Sequence, residues 1–142
     1  MTIQLTPYVT LEAKTKEAIA FYEQTLGAEL LYIVAYGDMP DIPDSSSDDL
    51  KSLVAHARLR VGGSELMLSD APAGAGIHQG KQVTICITTE DAEEGRRIFE
   101  ALAQEGKVNM PFEQTSFSPG FGDVTDRFGV TFQVSTEVKA SV

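Results

Sequence analysis

The same order of secondary-structure elements is predicted twice along the chain, and this duplication restricts the fold more than any other feature. Residues 5–12 alternate as in a strand, and Ala18, Ile19 and Tyr22 recur at helical spacing before Gly27, where a helix is expected to end. The stretches AELLYIVAY, LVAHARLRV and SELMLSD then predict three strands, the last two joined by a glycine hairpin. The first half therefore predicts the order strand, helix, strand, strand, strand.

The second half of the chain predicts this order again. Residues 81–89 have a strand pattern, and Asp91 begins a helix pattern that is expected to end at Gly106. The apolar stripe of that helix consists of Ile98, Phe99 and Leu102. VNMPFEQTSF is interpreted as a strand region interrupted at Pro111, GFGDVTDRFG as a turn, and residues 130–136 as the final strand.

The predicted fold class is α+β, with one domain over residues 1–142 built from two βαβββ modules. The modules cover about residues 5–70 and 81–136, and a Gly- and Ala-rich linker at residues 71–80 joins them. Residues 37–52, rich in Pro, Ser and Asp, predict a solvated loop whose aspartate spacing does not match a calcium-binding loop. A fused pair of modules also predicts a ligand site formed by their two sheets.

Composition narrows the classes of partner. With 142 residues, 42% of them hydrophobic, the chain is long enough for one domain with a core. Its formal net charge of −10 argues against nucleic acid or an anionic membrane surface as partner. The absence of a long apolar run and of a signal-peptide pattern predicts no membrane span and no secretion. The single cysteine, Cys86, excludes an intramolecular disulfide and favours a reducing, cytoplasmic setting.

Five stretches carry a resemblance to a known family. PYVTLE, AIAFYEQTLGAELLY, YGDMP, VAHARLRVGGSELMLSDA and GFGDVTDRFGV resemble PhnB-like proteins of the glyoxalase/bleomycin-resistance/dioxygenase group, the vicinal oxygen chelate (VOC) superfamily. The resemblance covers about residues 5–136 and implies paired, curved mixed sheets that line a cleft, and a homodimer. This branch has carried the name 3-demethylubiquinone-9 3-methyltransferase, yet the sequence has no Gly-rich strand-to-helix loop for a methyl-donor nucleotide.

The resemblance also implies four metal-ligand positions, on the first and last strand of each module, where metal-dependent relatives carry His, Glu or Gln. The corresponding residues are Pro7 or Tyr8, Met67, Gln82 or Thr84, and Gln133. Of these, Gln133 alone offers an oxygen ligand, and it is a neutral amide. We therefore expect no standard metal site and no cofactor, although a divalent metal held by other ligands stays open.

Strand alternation predicts which side chains line the cleft. Apolar residues such as Val83, Ile85 and Ile87 are expected to pack against the helices, which leaves the alternate residues for a ligand. The predicted ligand-binding residues are Tyr8, Thr10, Met67, Ser69, Thr84, Phe117, Phe121 and Gln133. Phe117 and Phe121 either cover an apolar ligand or pack on the sheet edge.

Several further residues have two interpretations. His56, predicted to share a strand face with Val54, Arg58 and Arg60, is either a general acid/base or a hydrogen-bonded strand histidine. His78 is expected in a solvated loop, and Cys86 is expected to be a small packing residue. Asp70 is interpreted as a turn residue at a strand end.

Some acidic and basic residues of the strands and turns are also open to a structural interpretation instead of a ligand-binding one. Asp126 is predicted to organise the turn before Gly129. Arg58, Arg60 and Arg127 either grip an anionic ligand or pair with nearby carboxylates.

Two functions remain in competition. The first is a small-molecule binder without the standard metal. The second is a glyoxalase-type lyase or isomerase, either metal-free with His56 as the base or holding a metal through non-standard ligands.

Overall fold

A computed structural model describes residues 3–43, 45–80 and 82–137. The chain divides into two compact units, Met1–His78 and Gln79–Val142. Lys81, where the predicted strand of the second module begins, and Asp44 of the predicted acidic loop lie outside the described residues.

The first unit contains one long helix and a four-stranded mixed sheet. Its elements are β1 (Tyr8–Glu12), α1 (Thr15–Leu26), β2 (Glu29–Ala35), α2 (Asp48–Ser52), β3 (Val54–Val61) and β4 (Ser64–Ala71). The strand order is β1-β4-β3-β2, with β1 parallel to β4 and the other pairs antiparallel. As predicted, α1 ends where Gly27 adopts a left-handed conformation with φ of 65°.

The second unit repeats this arrangement. Its elements are β5 (Ile85–Thr89), α3 (Ala92–Ala103), β6 (Lys107–Glu113), β7 (Phe121–Thr125) and β8 (Thr131–Thr136). The strand order β5-β8-β7-β6, with β5 parallel to β8, matches that of the first sheet. The predicted α+β class and the duplicated βαβββ order are therefore confirmed.

Each unit has its own core between helix and sheet. In the first unit the buried apolar side chains include Leu11, Ala18, Ile19, Tyr22, Leu59 and Leu68, and in the second Ile98, Phe99, Leu102, Val124, Phe132 and Val134. Buried and more exposed residues alternate along most of β8 and through the middle of β4, whereas Leu68, Ser69 and Asp70 near the end of β4 are all buried. We call the face opposite the buried residues the open face of each sheet.

The stretch GFGDVTDRFG was wrongly interpreted as a turn, because Phe121–Thr125 forms strand β7. Gly122 lies on the helix face of this strand, where an added Cβ would stand 2.6 Å from the Phe99 ring. The glycine therefore permits close packing of α3 on the sheet. The turn itself is short, with Gly129 donating its N–H to the Asp126 carbonyl.

The ends of two other elements differ from the predictions. Helix α3 ends at Ala103, and the left-handed residue after it is Glu105 (φ 58°), so Gly106 does not end the helix. Gly106 is required for space instead, since an added Cβ would lie 2.4 Å from the Thr125 carbonyl oxygen. Strand β6 continues through Pro111, which is tolerated because β6 is an edge strand.

Two further predictions need correction. The acidic loop is partly ordered, because it contains α2, whose first turn is capped by the Ser47 side chain accepting from the Leu50 N–H at 3.1 Å. Val83 precedes β5 and is 84% exposed, so it does not pack as the alternation predicted. Within the described part of the chain, no helix is both long and apolar enough to cross a membrane.

Candidate ligand-binding faces of the two sheets

A β-bulge decides which residues of β3 reach the first open face. Val34 pairs with His56 but Ala35 pairs with Val54, which leaves Ala55 as an extra residue. The bulge turns Val54 to the buried face and His56 to the open face. The prediction was therefore wrong for Val54, since a strict period of two does not survive a bulge, whereas Arg58 and Arg60 follow His56 on the more exposed face as predicted.

His56 lies between two tyrosines at the centre of the first open face. The Tyr8 hydroxyl is 3.3 Å from His56 Nδ1, and the ring centroids are 5.7 Å apart. Tyr32 approaches from β2, with its ring centroid 6.1 Å from that of His56. The interpretation of His56 as a hydrogen-bonded strand histidine thus has structural support.

The remaining predicted residues of this face belong to β1 and β4. Tyr8 lies opposite Met67, and Thr10 lies opposite Ser69. Tyr8 and Thr10 are exposed, Met67 is half-buried and Ser69 is buried. The sheet therefore brings a phenol, a thioether and two hydroxyls onto one surface.

The three arginines singled out in the sequence all pair with carboxylates. Arg58 Nε lies 3.3 Å from Glu65, Arg60 lies 3.4 Å from Glu29, and Arg127 lies 2.9 Å from Glu105. This outcome supports the ion-pair interpretation over the anion-binding one. Each pair is partly exposed, so its contribution to stability is small.

The second open face is organised by a row of three residues across three strands. Cys86 on β5 lies opposite Gln133 on β8, which lies opposite Asp123 on β7. The Gln133 side chain donates from Nε2 to Asp123 Oδ2 at 3.3 Å. Asn109 on β6 donates from Nδ2 to Asp123 Oδ1 at 2.9 Å and to Thr125 Oγ1 at 2.9 Å. A carboxylate is thus held between two amides.

Asp123 was not among the predicted site residues, because the stretch that contains it was interpreted as a turn. The alternation of β7 is visible in the structure, where Gly122 and Val124 are buried while Phe121, Asp123 and Thr125 on the other face are half-buried. The nearby glycines, Gly120 and Gly122, favoured the interpretation as a turn, although glycine in a strand also marks close packing.

Two phenylalanines form an aromatic pair beside this row. The Phe117 and Phe121 rings meet edge to face, with centroids 5.1 Å apart. Phe121 lies on β7, two residues before Asp123 and on the same face, opposite Ser135. Phe117 lies in the preceding loop and is 60% exposed, which leaves apolar surface next to the carboxylate.

Two residues predicted to be structural have a different setting. Cys86 is an exposed free thiol on the open face, so its interpretation as a packing residue was wrong. Asp70 lies inside β4 and is buried, rather than ending the strand in a turn. Its carboxylate accepts from the Thr15 N–H and the Val54 N–H, each at 2.9 Å, which connects the first turn of α1 to the start of β3.

Asp126 organises its turn as predicted. Its Oδ1 accepts from the Phe128 N–H at 2.9 Å and from the Val130 N–H at 3.0 Å. His78 is exposed in the Gly-rich stretch, as predicted.

The residues at the metal positions implied by the resemblance do not fit a standard divalent site. Tyr8 pairs with Met67 and Cys86 pairs with Gln133, whereas Gln82 and Thr84 precede β5. Pro7, Tyr8, Met67, Gln82, Thr84 and Gln133 do not supply the imidazole and carboxylate groups of that site. Among the residues that the structure describes, no three of His, Cys, Asp or Glu are grouped to hold a metal ion.

Comparison with known protein families shows which family the chain is related to. Residues 3–135 match the family described as 3-demethylubiquinone-9 3-methyltransferase. The chain belongs to this PhnB-like family. Protein YjdN of Escherichia coli K12 is 39% identical to this PhnB-like chain over 139 residues, covering 92% of the chain and 93% of YjdN.

Solved structures agree with this membership. Protein PA1353 of Pseudomonas aeruginosa has a TM-score of 0.83 and 35% identity, covering 96% of the PhnB-like chain and 98% of PA1353. The PhnB protein of Bacillus cereus has a TM-score of 0.77 and 26% identity, with 95% and 100% covered. A glyoxylase/bleomycin resistance protein/dioxygenase domain from Frankia has a TM-score of 0.68 at 12% identity, with 97% and 99% covered, and confirms the VOC fold.

Proposed function

We propose that this PhnB-like protein binds a small organic molecule on the open faces of its sheets, without the standard divalent-metal site and without a cofactor. The observation that carries the proposal is the composition of those faces. Residues that project from them are polar, aromatic or thioether groups at half-buried and exposed positions, a mixture typical of ligand sites. The main contributors are Tyr8, Thr10, His56, Met67, Asp123 and Gln133.

The metal positions support a binder over a metal enzyme of the superfamily. Lewis-acid chemistry needs several oxygen or nitrogen ligands around one ion with open positions for substrate. The residues at these positions include no carboxylate and no imidazole: Pro7 or Tyr8, Met67, Gln82 or Thr84, and Gln133. Binding without a metal then depends on hydrogen bonds and apolar contacts alone.

A metal-free lyase or isomerase is the second candidate, and the contact between Tyr8 and His56 favours it. The phenol lies 3.3 Å from Nδ1 and orients the imidazole, as a catalytic base requires. In this function His56 would take a proton from a ligand through Nε2.

Native mass spectrometry of freshly purified protein, before and after treatment with EDTA, tests the proposal. A retained organic adduct that survives EDTA is expected, while loss of the adduct together with a metal would contradict it. Incubation with the ligand identified from the adduct separates the two candidates: a binder leaves the ligand chemically unchanged in both the parent chain and His56→Ala, whereas an enzyme converts it and His56→Ala does not. His78→Ala is the matched control, because His78 is exposed in the Gly-rich stretch.

We further propose a cytoplasmic homodimer that does not bind nucleic acid. Edge strand β2 exposes four consecutive apolar residues, Leu30, Leu31, Tyr32 and Ile33, and an exposed apolar edge favours pairing with another chain. The free thiol of Cys86 suits a reducing compartment. Light scattering coupled to size-exclusion chromatography tests the dimer: twice the mass of 15.3 kDa is expected, and a monomer at micromolar concentration would contradict it.

A further inference from the structure

We propose that the second open face selects a positively charged organic ligand, an amine with an apolar or aromatic body, through the carboxylate of Asp123. This inference rests on the proposed function and names the ligand class for one of its two faces. It follows from which groups of that face are already paired and which are left for a ligand.

The Asp123 carboxylate carries a negative charge that no cation balances within the described residues. It accepts one hydrogen bond at each oxygen, from the neutral amides of Asn109 and Gln133. The ion pairs of the described residues do not include Asp123. A carboxylate has about four lone-pair sites, so an ammonium N–H still finds an acceptor there.

The amides on either side of Asp123 make the face rich in acceptors. Gln133 and Asn109 direct their NH₂ groups at the Asp123 and Thr125 side chains. Their carbonyl oxygens, which only accept, are the groups left for a ligand. A ligand that donates several hydrogen bonds, as an ammonium does, complements such a surface.

The aromatic pair supplies the apolar part of the site. Phe121 lies two residues from Asp123 along β7, and Phe117 packs edge to face against it at 5.1 Å. Aromatic rings attract both cations and apolar groups, so this pair can add to the binding of an amine that the carboxylate holds by its charge. An amine whose apolar body reaches two strand residues from its charge, roughly 7 Å at about 3.4 Å per residue, would contact both features.

An anionic ligand is matched less well by these groups. The three arginines that were candidates for anion binding, Arg58, Arg60 and Arg127, each lie within ion-pair distance of a glutamate, although Arg58 Nε makes no hydrogen bond within the described residues. The second open face also places Asp123 at its centre, which repels phosphonate and carboxylate groups.

Three probes that share one body and differ in charge test the inference: 4-phenylbutylamine, 4-phenylbutanol and 4-phenylbutyrate. Binding is followed at pH 7 and low salt by amide chemical shifts of β7 and β8. We expect the amine to bind most tightly and Asp123→Asn to weaken it by roughly tenfold, as for a hydrogen bond to a charged group. Glu100→Gln, which removes the same charge from an exposed site on α3, should leave the affinity for the amine unchanged.

A second variant keeps the test valid if Asp123→Asn does not fold. Phe117→Ala changes an exposed loop residue and should weaken the amine and the alcohol alike. The inference is overturned if 4-phenylbutyrate or 4-phenylbutanol binds β7 and β8 more tightly than the amine does, or if Asp123→Asn leaves the affinity for the amine unchanged. Either result still leaves small-molecule binding at this face intact. The absence of shifts at β7 and β8 with all three probes contradicts both the inference and the proposed function of this face.

Discussion

Gln133 donates its side-chain N–H to Asp123 across the β7–β8 pair, with Nε2 and Oδ2 3.3 Å apart. The resemblance to metal-dependent proteins of the superfamily implies a carboxylate at this position, and the amide found here is bonded to a neighbouring carboxylate. A neutral donor is required at this position, because a second anion would meet Asp123 at hydrogen-bonding distance.

Replacing this donor with an anion should destabilise the second unit. Gln133→Glu places two carboxylates side by side, which raises the pKa of the introduced carboxyl group. We expect a loss of roughly 1–3 kcal/mol in the free energy of unfolding at pH 7, as for a broken hydrogen bond to a charged group. The loss should shrink as the pH falls and the introduced carboxyl group takes up a proton. Urea unfolding at pH 7 and pH 5 measures both values.

Gln114→Glu is the matched control for this change, because Gln114 is exposed outside the strands. Its stability should stay close to that of the parent chain at both pH values. Equal effects of the two substitutions would show that Gln133 is not held by Asp123.

The buried carboxylate of Asp70 should be among the most sensitive positions of the first unit. The Asp70 carboxylate accepts from the backbone N–H groups of Thr15 and Val54. In Asp70→Asn one of these two N–H groups faces an amide NH₂ instead of an oxygen. A buried donor without an acceptor costs about 1–3 kcal/mol. Urea unfolding should show this loss, with the exposed Asp41→Asn as a control that changes little. An unchanged midpoint for Asp70→Asn would contradict the role assigned to its carboxylate.

Glu12 should make the stretch after β4 sensitive to pH. Its carboxylate accepts from the N–H groups of Ile77, Gly74 and Gly76, and the Ile77 bond makes the largest contribution to lowering the pKa of Glu12. A lowered pKa means that this stabilisation is complete above the unfolded value, about 4.3 for glutamate, and is lost as the pH falls through the folded value.

Hydrogen exchange at those three amides measures this dependence. Protection in the parent chain should decline on acidification below about pH 4, after correction for intrinsic exchange rates. Glu12→Gln should remove the pH-dependent part, and Glu23→Gln, at an exposed position of α1, should not. Identical profiles in the parent chain and Glu12→Gln would contradict this prediction.

Gly122 should tolerate no side chain. An added Cβ would meet the Phe99 ring at 2.6 Å and the Phe112 backbone at 3.0 Å, so α3 would have to move. We expect Gly122→Ala to cost roughly 1–3 kcal/mol, as overpacking does. Gly63→Ala, with nothing within 4 Å of the added Cβ, is the control. Thermal unfolding of the two variants measures the difference, and equal midpoints would exclude close packing at Gly122.

The element order and the fold class were predictable because apolar periodicity is local. The stripe of Ile98, Phe99 and Leu102 and the left-handed Gly27 were read directly from spacing. Features that depend on tertiary packing were not predictable. Glycine at position 122 looks the same in sequence whether it forms a turn or admits a helix.

The candidate site was predicted in part for the same reason. Parity placed Tyr8, Met67 and Gln133 on the open faces correctly, since each lies in an uninterrupted strand. The bulge at Ala55 and the start of β5 at Ile85 shift the pattern by one residue or end it. Neither the bulge nor the late start of β5 has a local sequence signal. Predicting which side chains face outward there requires the register of the strand against its partner.

Metal titration tests the central claim most directly. Protein freed of metal by EDTA and then titrated calorimetrically with Mn²⁺, Ni²⁺ and Zn²⁺ should show no stoichiometric binding. Gln133→Ala should give the same flat isotherms. One tightly bound ion per chain, lost in Gln133→Ala, would contradict the account, because it would show that the open faces still hold the metal of the superfamily.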